Sequence, residues 1–551
     1  MRRLPRLALL LFCIAYVLPG FTGREPWKVA DVAAFGAMHE LAIGGVSWWN
    51  PMVLGLAVED AGPLPYWLGA IFIRALPFLP ADWAARLPFL GLLGLTLAAT
   101  WYTVYHLARQ PGAQPVAFAF GGEAQPTDYA RAMADAGLLA LMACLGLAQL
   151  SHETTSDLVR LVCVAGMLLG STRLAQFAVP HAGQALVPWT LGAFGLVLSG
   201  SPWLALFMGL GWLAWLWRRS AGGSRGQLVP ATFVWVISLL LGSAVGSWPD
   251  VMPIAVWRDM AWDSWGRLLL WFTWPAWPLA LWTLWRWRRQ WLEAHVALPA
   301  WAVLVGLVAS SLSEDRDRAL MTALPALATL AAFALPTLRR SVAALIDWFT
   351  LLFFSGCALI IWVIWTAMVT GIPAKPAANV AKLAPGFQPE FSFLAFVIAA
   401  TATVAWIWLV SWRVGAHRQA LWKSLVLPAA GAILCWLLLM TLWLPLLDFG
   451  RSYGPISRRI ASLVPAQNPC VLVDGLTQAQ ISALRYHGQL NLIRTTPPAQ
   501  EAQACRALVV SPDTQRTLDQ RIDLTQWAFR ATVRRLTDNK ESLLLYQRVS
   551  R

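Results

Sequence analysis

The sequence predicts a polytopic α-helical membrane protein, with about thirteen transmembrane helices and a small α/β domain at its C-terminus. Three observations predict it. Hydrophobic residues make up 58% of the 551 positions and charged residues 13%, with a mean hydropathy of +0.56. Apolar runs long enough to cross about 30 Å of hydrocarbon as helices recur along the chain. The last hundred residues lose that character and alternate short apolar runs with polar turns.

A soluble fold is excluded because single cores stop growing beyond about 250–300 residues, leaving no place for this much apolar surface. The 34 Trp agree, since indole favours the membrane–water interface. The start, Met1-Arg2-Arg3-Leu4-Pro5-Arg6 followed by Leu7 to Phe21, has no small-residue cleavage site after it, so it reads as a retained first span. The runs fall near 7–22, 87–108, 135–150, 158–177, 184–199, 201–217, 228–247, 267–285, 296–312, 319–337, 342–370, 391–412 and 424–447.

The run 64–79 is short, flanked by prolines and interrupted by Arg74. Placed along the interface, it puts Arg109, Arg173, Arg218, Arg219, Arg286, Arg288, Arg339 and Arg413 on the side of Arg2 and Arg3, as positive-inside topology requires. Placed across the membrane, it destroys that pattern. The expected orientation is therefore an inner-membrane protein with a cytoplasmic N-terminus. Residues 1–447 form the membrane domain, 23–86 its first periplasmic loop, and 448–551 a periplasmic domain. The net charge of +14 sits mostly in short loops, where it reports orientation and not a nucleic-acid partner.

In the tail, Cys470–Asp474, Asn491–Arg494 and Ala507–Val510 read as buried strands. Thr477–His487 reads as a helix, and Phe529–Leu536 with Ser542–Val549 as a closing hairpin. Lys and Arg outnumber Asp and Glu there, which suits either a face toward anionic headgroups or an ordinary solvated surface. Cys13, Cys144, Cys163, Cys357 and Cys435 lie in apolar runs and read as core packing. Cys470 and Cys505 stand at strand starts in an oxidising compartment and are candidates for a disulfide.

No nucleotide-binding glycine loop, zinc spacing or serine-nucleophile elbow is present. The chemistry-bearing stretch is the first loop, with Glu25, Asp31, Glu40, Glu59, Asp60 and Asp82 near apolar helices. Carboxylates beside hydrocarbon are costly, and their pKa is expected to rise into the range of a general base. The alternative is a set of solvated loop acids.

Taken together, the loop acids, Gly62-Pro63-Leu64-Pro65-Tyr66-Trp67, Ala85-Arg86-Leu87-Pro88, His152-Glu153-Thr154-Thr155-Ser156-Asp157 and Ser311 to Leu327 resemble the lipid-dependent membrane glycosyltransferases of the GT-C class. The pattern is similar to the protein O-mannosyltransferases and the aminoarabinose transferases of lipid A. That resemblance implies a GT-C-like fold and an inverting transfer from a polyprenyl-phosphate sugar, of undecaprenyl-phosphate type, to a cell-envelope acceptor. In Arg24-Glu25-Pro26-Trp27-Lys28-Val29-Ala30-Asp31, Ala30 and Asp31 align with the family's Asp-Glu pair, so the Asp is replaced. The implied catalytic acids are Asp31, with Glu25 as substitute, and Asp157.

The family's lysine before Leu-Pro-Tyr-Trp is absent from Glu59-Asp60-Ala61-Gly62-Pro63, and its Lys-Gly-Pro appears as Gly200-Ser201-Pro202. Glu59 and Asp60 remain in the donor-binding set. Replacement phosphate contacts are sought among Lys28, Arg74, Arg86, Arg258, Arg316 and Arg318, since arginine binds phosphate in bidentate fashion. Arg316 and Arg318 equally suit pairing with Glu314, Asp315 and Asp317. The expected partners are the lipid-linked donor, a lipid, polysaccharide or protein acceptor, and the bilayer. No cofactor is required, with a divalent cation left open. The alternative functions are a transporter or flippase of lipid-linked sugars, or an inactive scaffold subunit.

Overall fold

A chain in hydrocarbon must satisfy every backbone N–H and C=O internally, so its apolar runs coil. The computed structural model describes residues 4–27, 29–58, 62–114, 125–176, 182–220, 225–226, 228–248, 261–415, 422–464, 470–494, 505–520, 522–535 and 537–549. Each of the predicted apolar runs falls on helix. Helix α1 (Arg6–Phe21) leads to α2 (Ala30–Ile43), a small hairpin of β1 (Met52–Val53) and β2 (Leu56–Ala57), and α3 (Leu64–Ala75). Then come α4 (Ala81–Ala108), α5 (Pro126–Ala143), α6 (Leu147–Leu150), α7 (Ser156–Leu174), α8 (Ala182–Leu198), α9 (Pro202–Arg219), α10 (Leu228–Val245), α11 (Trp262–Phe272) and α12 (Ala276–Arg286). The second half holds α13 (Ala294–Leu312), α14 (Arg316–Met321), α15 (Leu324–Ala334), α16 (Arg340–Thr370), α17 (Ala374–Leu383), α18 (Phe393–Gly415), α19 (Lys423–Leu439), α20 (Leu444–Arg451) and α21 (Gly454–Leu463).

Among the described residues, five helices are long and apolar enough to cross a membrane: α4, α10, α13, α16 and α18. A sixth arises if α19 and α20, bent by 69°, are one span. Four runs expected to be continuous are broken: 135–150, 267–285, 319–337 and 424–447. Pro275, Pro325 and Pro445 open the second helix of three of them, because proline lacks the N–H that would continue the first. Two breaks satisfy each other. The Leu145 and Gly146 N–H groups donate to the Trp274 and Phe272 carbonyls at 3.2 and 2.9 Å, so donors freed at one opened turn meet acceptors freed at the other.

Helix α3 spans twelve residues, about 18 Å, too short to cross and consistent with the interfacial placement. Its Arg74 donates from Nε to the Ala42 carbonyl at 2.8 Å and from Nη2 to the Leu41 carbonyl at 2.9 Å. It thereby closes the C-terminus of α2, where a cation meets the negative end of the helix.

The C-terminal domain follows the sequence reading closely. It contains β3 (Cys470–Asp474), α22 (Gln478–Tyr486), β4 (Asn491–Arg494), β5 (Ala507–Val510), β6 (Trp527–Arg535) and β7 (Asp538–Arg548). They form one mixed sheet in the order β4-β3-β5-β7-β6, parallel from β4 to β5 and antiparallel beyond. Strands β3 and β5 are buried along their whole length, as near-continuous apolar runs in a covered sheet should be. Helix α22 starts with a capping box in which Thr477 and Gln480 each bond the other's backbone N–H.

Cys470 and Cys505 are disulfide-bonded, with Cα atoms 4.9 Å apart, and close a loop of 35 residues. In the chain-entropy account a loop of that size stabilises by about 4 kcal/mol. Cys470→Ser is therefore expected to lower the C-terminal domain's unfolding temperature and to expose one free thiol to maleimide, read by thermal melting and mass spectrometry. An unchanged melt would mean the bridge adds nothing to the fold.

The domain sits on the first loop. Arg485 pairs with Glu40 at 2.7 Å and Tyr486 donates to Asp82 at 3.0 Å. Gly36 of α2 lies against Ser482, where any larger side chain would collide. One continuous core runs from α1 through the helices into β3, β5 and β7, and a separate cluster joins α16, α18 and α19.

Candidate functional site

The site is built where the first loop meets the segment 151–157 before α7. Arg24 is buried, at 4% exposure, and its guanidinium holds three elements together. Nε donates to the Gly20 carbonyl at 2.9 Å, Nη2 to the His152 carbonyl at 2.7 Å, and Nη1 to Asp31 Oδ2 at 2.7 Å. Asp31, in the first turn of α2, is 1% exposed. Its Oδ2 also accepts the Trp27 N–H at 2.9 Å, and its Oδ1 accepts the Thr154 N–H and hydroxyl at 2.8 and 2.7 Å.

That environment reverses the expected direction of the Asp31 pKa. Burial alone would raise it, but the Arg24 and Arg86 charges and the Thr154 and Trp27 N–H groups outweigh burial and hold it down to about 2. Asp31 is a permanent anion that pins the 151–157 segment to α2. Val29, just before α2, adopts φ 65, a left-handed backbone that β-branched residues rarely accept, so the turn into Ala30 and Asp31 is held under strain. His152 beside it donates from Nε2 to the Tyr16 carbonyl (3.0 Å), and burial pushes it down to about 4, leaving it neutral.

Three residues after Thr154, Asp157 faces a different surface. Its Oδ1 lies 3.1 Å from Arg160 Nη1 and its Oδ2 lies 3.0 Å from Arg318 Nη1. Arg318 Nη2 pairs with Glu153 Oε2 at 2.5 Å. Arg160 continues to the Ser199 carbonyl, with Nη2 at 3.0 Å. Burial raises the pKa of Glu153, against the pull of Arg318. Two arginines thus share a small set of acids, with guanidinium edges at a cavity of about 820 Å³.

That cavity is amphipathic. Trp203, Leu204 and Phe207 of α9 and Trp301, Leu304 and Val308 of α13 form its apolar wall. Asp157, Arg160, Arg318, Glu314, Asp315 and Tyr66 line its polar end. Phe207, Leu304 and Val308 are 37%, 51% and 42% exposed, so the apolar side opens laterally to where lipid would lie. Ala30, not Asp31, contributes to the wall, and Gln478 of α22 reaches it from the C-terminal domain.

The predicted residues separate accordingly. Asp157 and Arg318 come together in the cavity, and Asp31 reaches the same segment from behind. Glu25 does not line it. Its carboxylate pairs with Arg458 at 3.0 Å and accepts the Ser452 hydroxyl, so it ties the first loop to α20 and α21. Burial opposes its charge, but His487, Ser452 and Arg458 prevail and hold its pKa below the usual range. Arg86 is buried and pairs with Asp82 at 3.3 Å, and Arg74 is spent on α2, so neither reaches the cavity. Arg316 does not line it either. Lys28, Glu59, Asp60 and Arg258 lie outside the described residues. The sequence reading missed Arg160 and Glu153 as members of the ion network. Arg160 stands near the start of the apolar run 158–177, three residues after Asp157, and a charge inside such a run is the signal that points to it.

Neither a family model nor a curated protein sequence matches the chain. Solved structures do. The apo crystal structure of ArnT from Cupriavidus metallidurans matches with a TM-score of 0.63 at 15% identity, covering 98% of this chain and 97% of that one. The crystal structure of the same protein bound to undecaprenyl phosphate matches with a TM-score of 0.62 at 15% identity over the same shares. A crystal structure of the Archaeoglobus fulgidus oligosaccharyltransferase matches at a TM-score of 0.43 and 11% identity, over 92% of this chain and 70% of that one. The chain has the multi-span helical fold of ArnT.

Proposed function

We propose that the chain is an inverting membrane glycosyltransferase that moves a sugar from an undecaprenyl-phosphate-type carrier to a cell-envelope acceptor on the periplasmic face. The observation that carries this reading is the amphipathic cavity with Arg160, Asp157 and Arg318 at its polar end. The isoprenyl tail lies along α9 and α13, where its apolar area leaves water. The phosphate meets the two guanidinium groups, which bind it in bidentate fashion and stabilise its charge as it leaves. Asp157 holds both arginines in register, and Asp31 fixes the segment that carries Asp157. The acceptor is a hydroxyl of lipid A, a polysaccharide or a protein, and the chemistry proposed needs no cofactor.

The test uses purified protein in nanodiscs with undecaprenyl phosphate, read by native mass spectrometry. Ala309→Trp fills the apolar wall without touching a charge and is expected to weaken binding tenfold or more. Equal binding by wild type and variant would remove this cavity as the lipid site.

The same reading has thirteen spans, a membrane domain over 1–447, a periplasmic domain over 448–551 and a cytoplasmic N-terminus. A cysteine at Asn379 is expected to react with a membrane-impermeant thiol reagent added to spheroplasts, and one at Gly222 to resist it. The reverse labelling would invert the topology.

A second reading, a lipid-phosphate-binding subunit without transferase activity, is favoured by Ala30, which presents a methyl group to the cavity where a carboxylate would serve catalysis.

A further inference from the structure

We propose that Glu314 is the general base of the transfer, taking the proton of the acceptor hydroxyl. The proposal rests on the transferase reading above. An inverting displacement needs a carboxylate that faces the reaction cavity and has an oxygen free to take a proton. The described first-loop acids fail the first condition. Asp31 lies behind the wall, Glu25 and Glu40 are tied to Arg458 and Arg485, and Asp82 is held by Arg86 and Tyr486. None of the four lines the cavity.

Three described carboxylates do line it: Asp157, Glu314 and Asp315. Asp157 has one oxygen on Arg160 and the other on Arg318, so protonating it would break the very pairs that hold the phosphate-binding arginines. Asp315, the residue before α14, has an interaction partner already. Glu314 alone of the three carries no hydrogen bond or ion pair among the described residues, and it is exposed at the open end. It stands in the bend before α14, four residues before Arg318, and both residues line the same cavity.

The step balances. The Glu314 carboxylate accepts the hydroxyl proton as the hydroxyl oxygen forms its bond to the anomeric carbon. The bond between that carbon and the phosphate oxygen breaks, and its electron pair leaves on the lipid phosphate, whose charge Arg160 and Arg318 balance. Glu314 then returns the proton to water.

The experiment begins with a deletion strain, in which mass spectrometry of lipid A, surface polysaccharide and periplasmic proteins identifies the modification that depends on this chain. Its rate of formation is then measured in membranes carrying variants. Glu314→Gln is expected to slow it a hundredfold or more, within the range of lost general-base catalysis. Undecaprenyl phosphate should still bind Glu314→Gln within twofold of wild type, and Glu314→Asp should keep a measurable fraction of the rate. If Glu314→Gln keeps the wild-type rate while Arg318→Ala loses it, the proposal is overturned and the transferase reading stands. Loss of lipid binding in step with rate would also overturn it, making Glu314 a binding group. If no modification depends on the chain, the transferase reading falls and takes this proposal with it.

Discussion

Arg318→Ala is expected to weaken undecaprenyl phosphate binding a hundredfold or more and to lower the melting temperature of the whole membrane domain. The two effects have one cause. Arg318 is the cation between Glu153 and Asp157, at 2.5 and 3.0 Å, and both acids are buried, at 4% and 7% exposure. Removing it leaves Glu153 without its counter-ion and Asp157 with Arg160 alone. Truncating one partner of a buried pair costs about 3–5 kcal/mol, because the other charge stays behind in a medium that cannot solvate it. The same truncation deletes half of the proposed phosphate clamp. Fold and function are separated by the double variant Arg318→Ala/Glu153→Gln, which removes the stranded charge. Its melt should recover toward wild type while lipid binding stays lost. Arg318→Lys keeps the charge but not the planar fork, and should fall between wild type and alanine in binding. Native mass spectrometry and thermal melts in the same nanodiscs read both quantities. Wild-type affinity in Arg318→Ala would remove this arginine from the clamp.

Much of the architecture was legible because it depends on local pattern. Apolar runs must coil in hydrocarbon wherever they lie, so the helices appear where the sequence places them. The strands at Cys470–Asp474, Asn491–Arg494 and Ala507–Val510 appear residue for residue, since β-branched and aliphatic runs bounded by turns have few alternatives. The helix breaks were less legible. The interruption at Cys144–Gly146 is stabilised by carbonyls of Phe272 and Trp274, far along the chain, and no window around residue 145 contains that information. The site divides in the same way. Order and loop membership point to Asp157 and the 311–318 loop. Which of two adjacent residues faces the cavity is decided by about 100° of rotation at the first turn of α2, and it places Ala30 at the cavity and Asp31 in the core. The pKa of Asp31 was misjudged for a related reason. The sequence shows an acid near apolar surface, whereas the fold adds Arg24 and the Thr154 N–H, and these outweigh burial.

Asp31→Asn is expected to act on the fold first, and on transfer only through it. Asparagine keeps the shape and can still accept from Thr154 or Trp27, but it cannot neutralise Arg24, which is 4% exposed and aimed at this side chain. Stranding that guanidinium costs about 3–5 kcal/mol, so the melting temperature should drop and less protein should reach the membrane. Double substitution to Arg24→Met with Asp31→Asn removes both charges and should recover a large part of the loss, as replacing a whole buried pair by apolar packing commonly does. The pH dependence carries the same signature. The carboxyl is held near 2 in the folded chain, against an ordinary value near 3.8. Its stabilisation is therefore complete above about pH 4 and is lost as pH falls toward about 2, where the folded state must take up a proton that the unfolded chain already binds. Wild-type melts should be level with respect to this group from neutral pH down to about 4, and the difference between wild type and Asp31→Asn should shrink below that. A variant that melts like wild type at every pH, reaches the membrane in full and yet transfers no sugar would place Asp31 among the reacting groups and undo the assignment of the proton to Glu314.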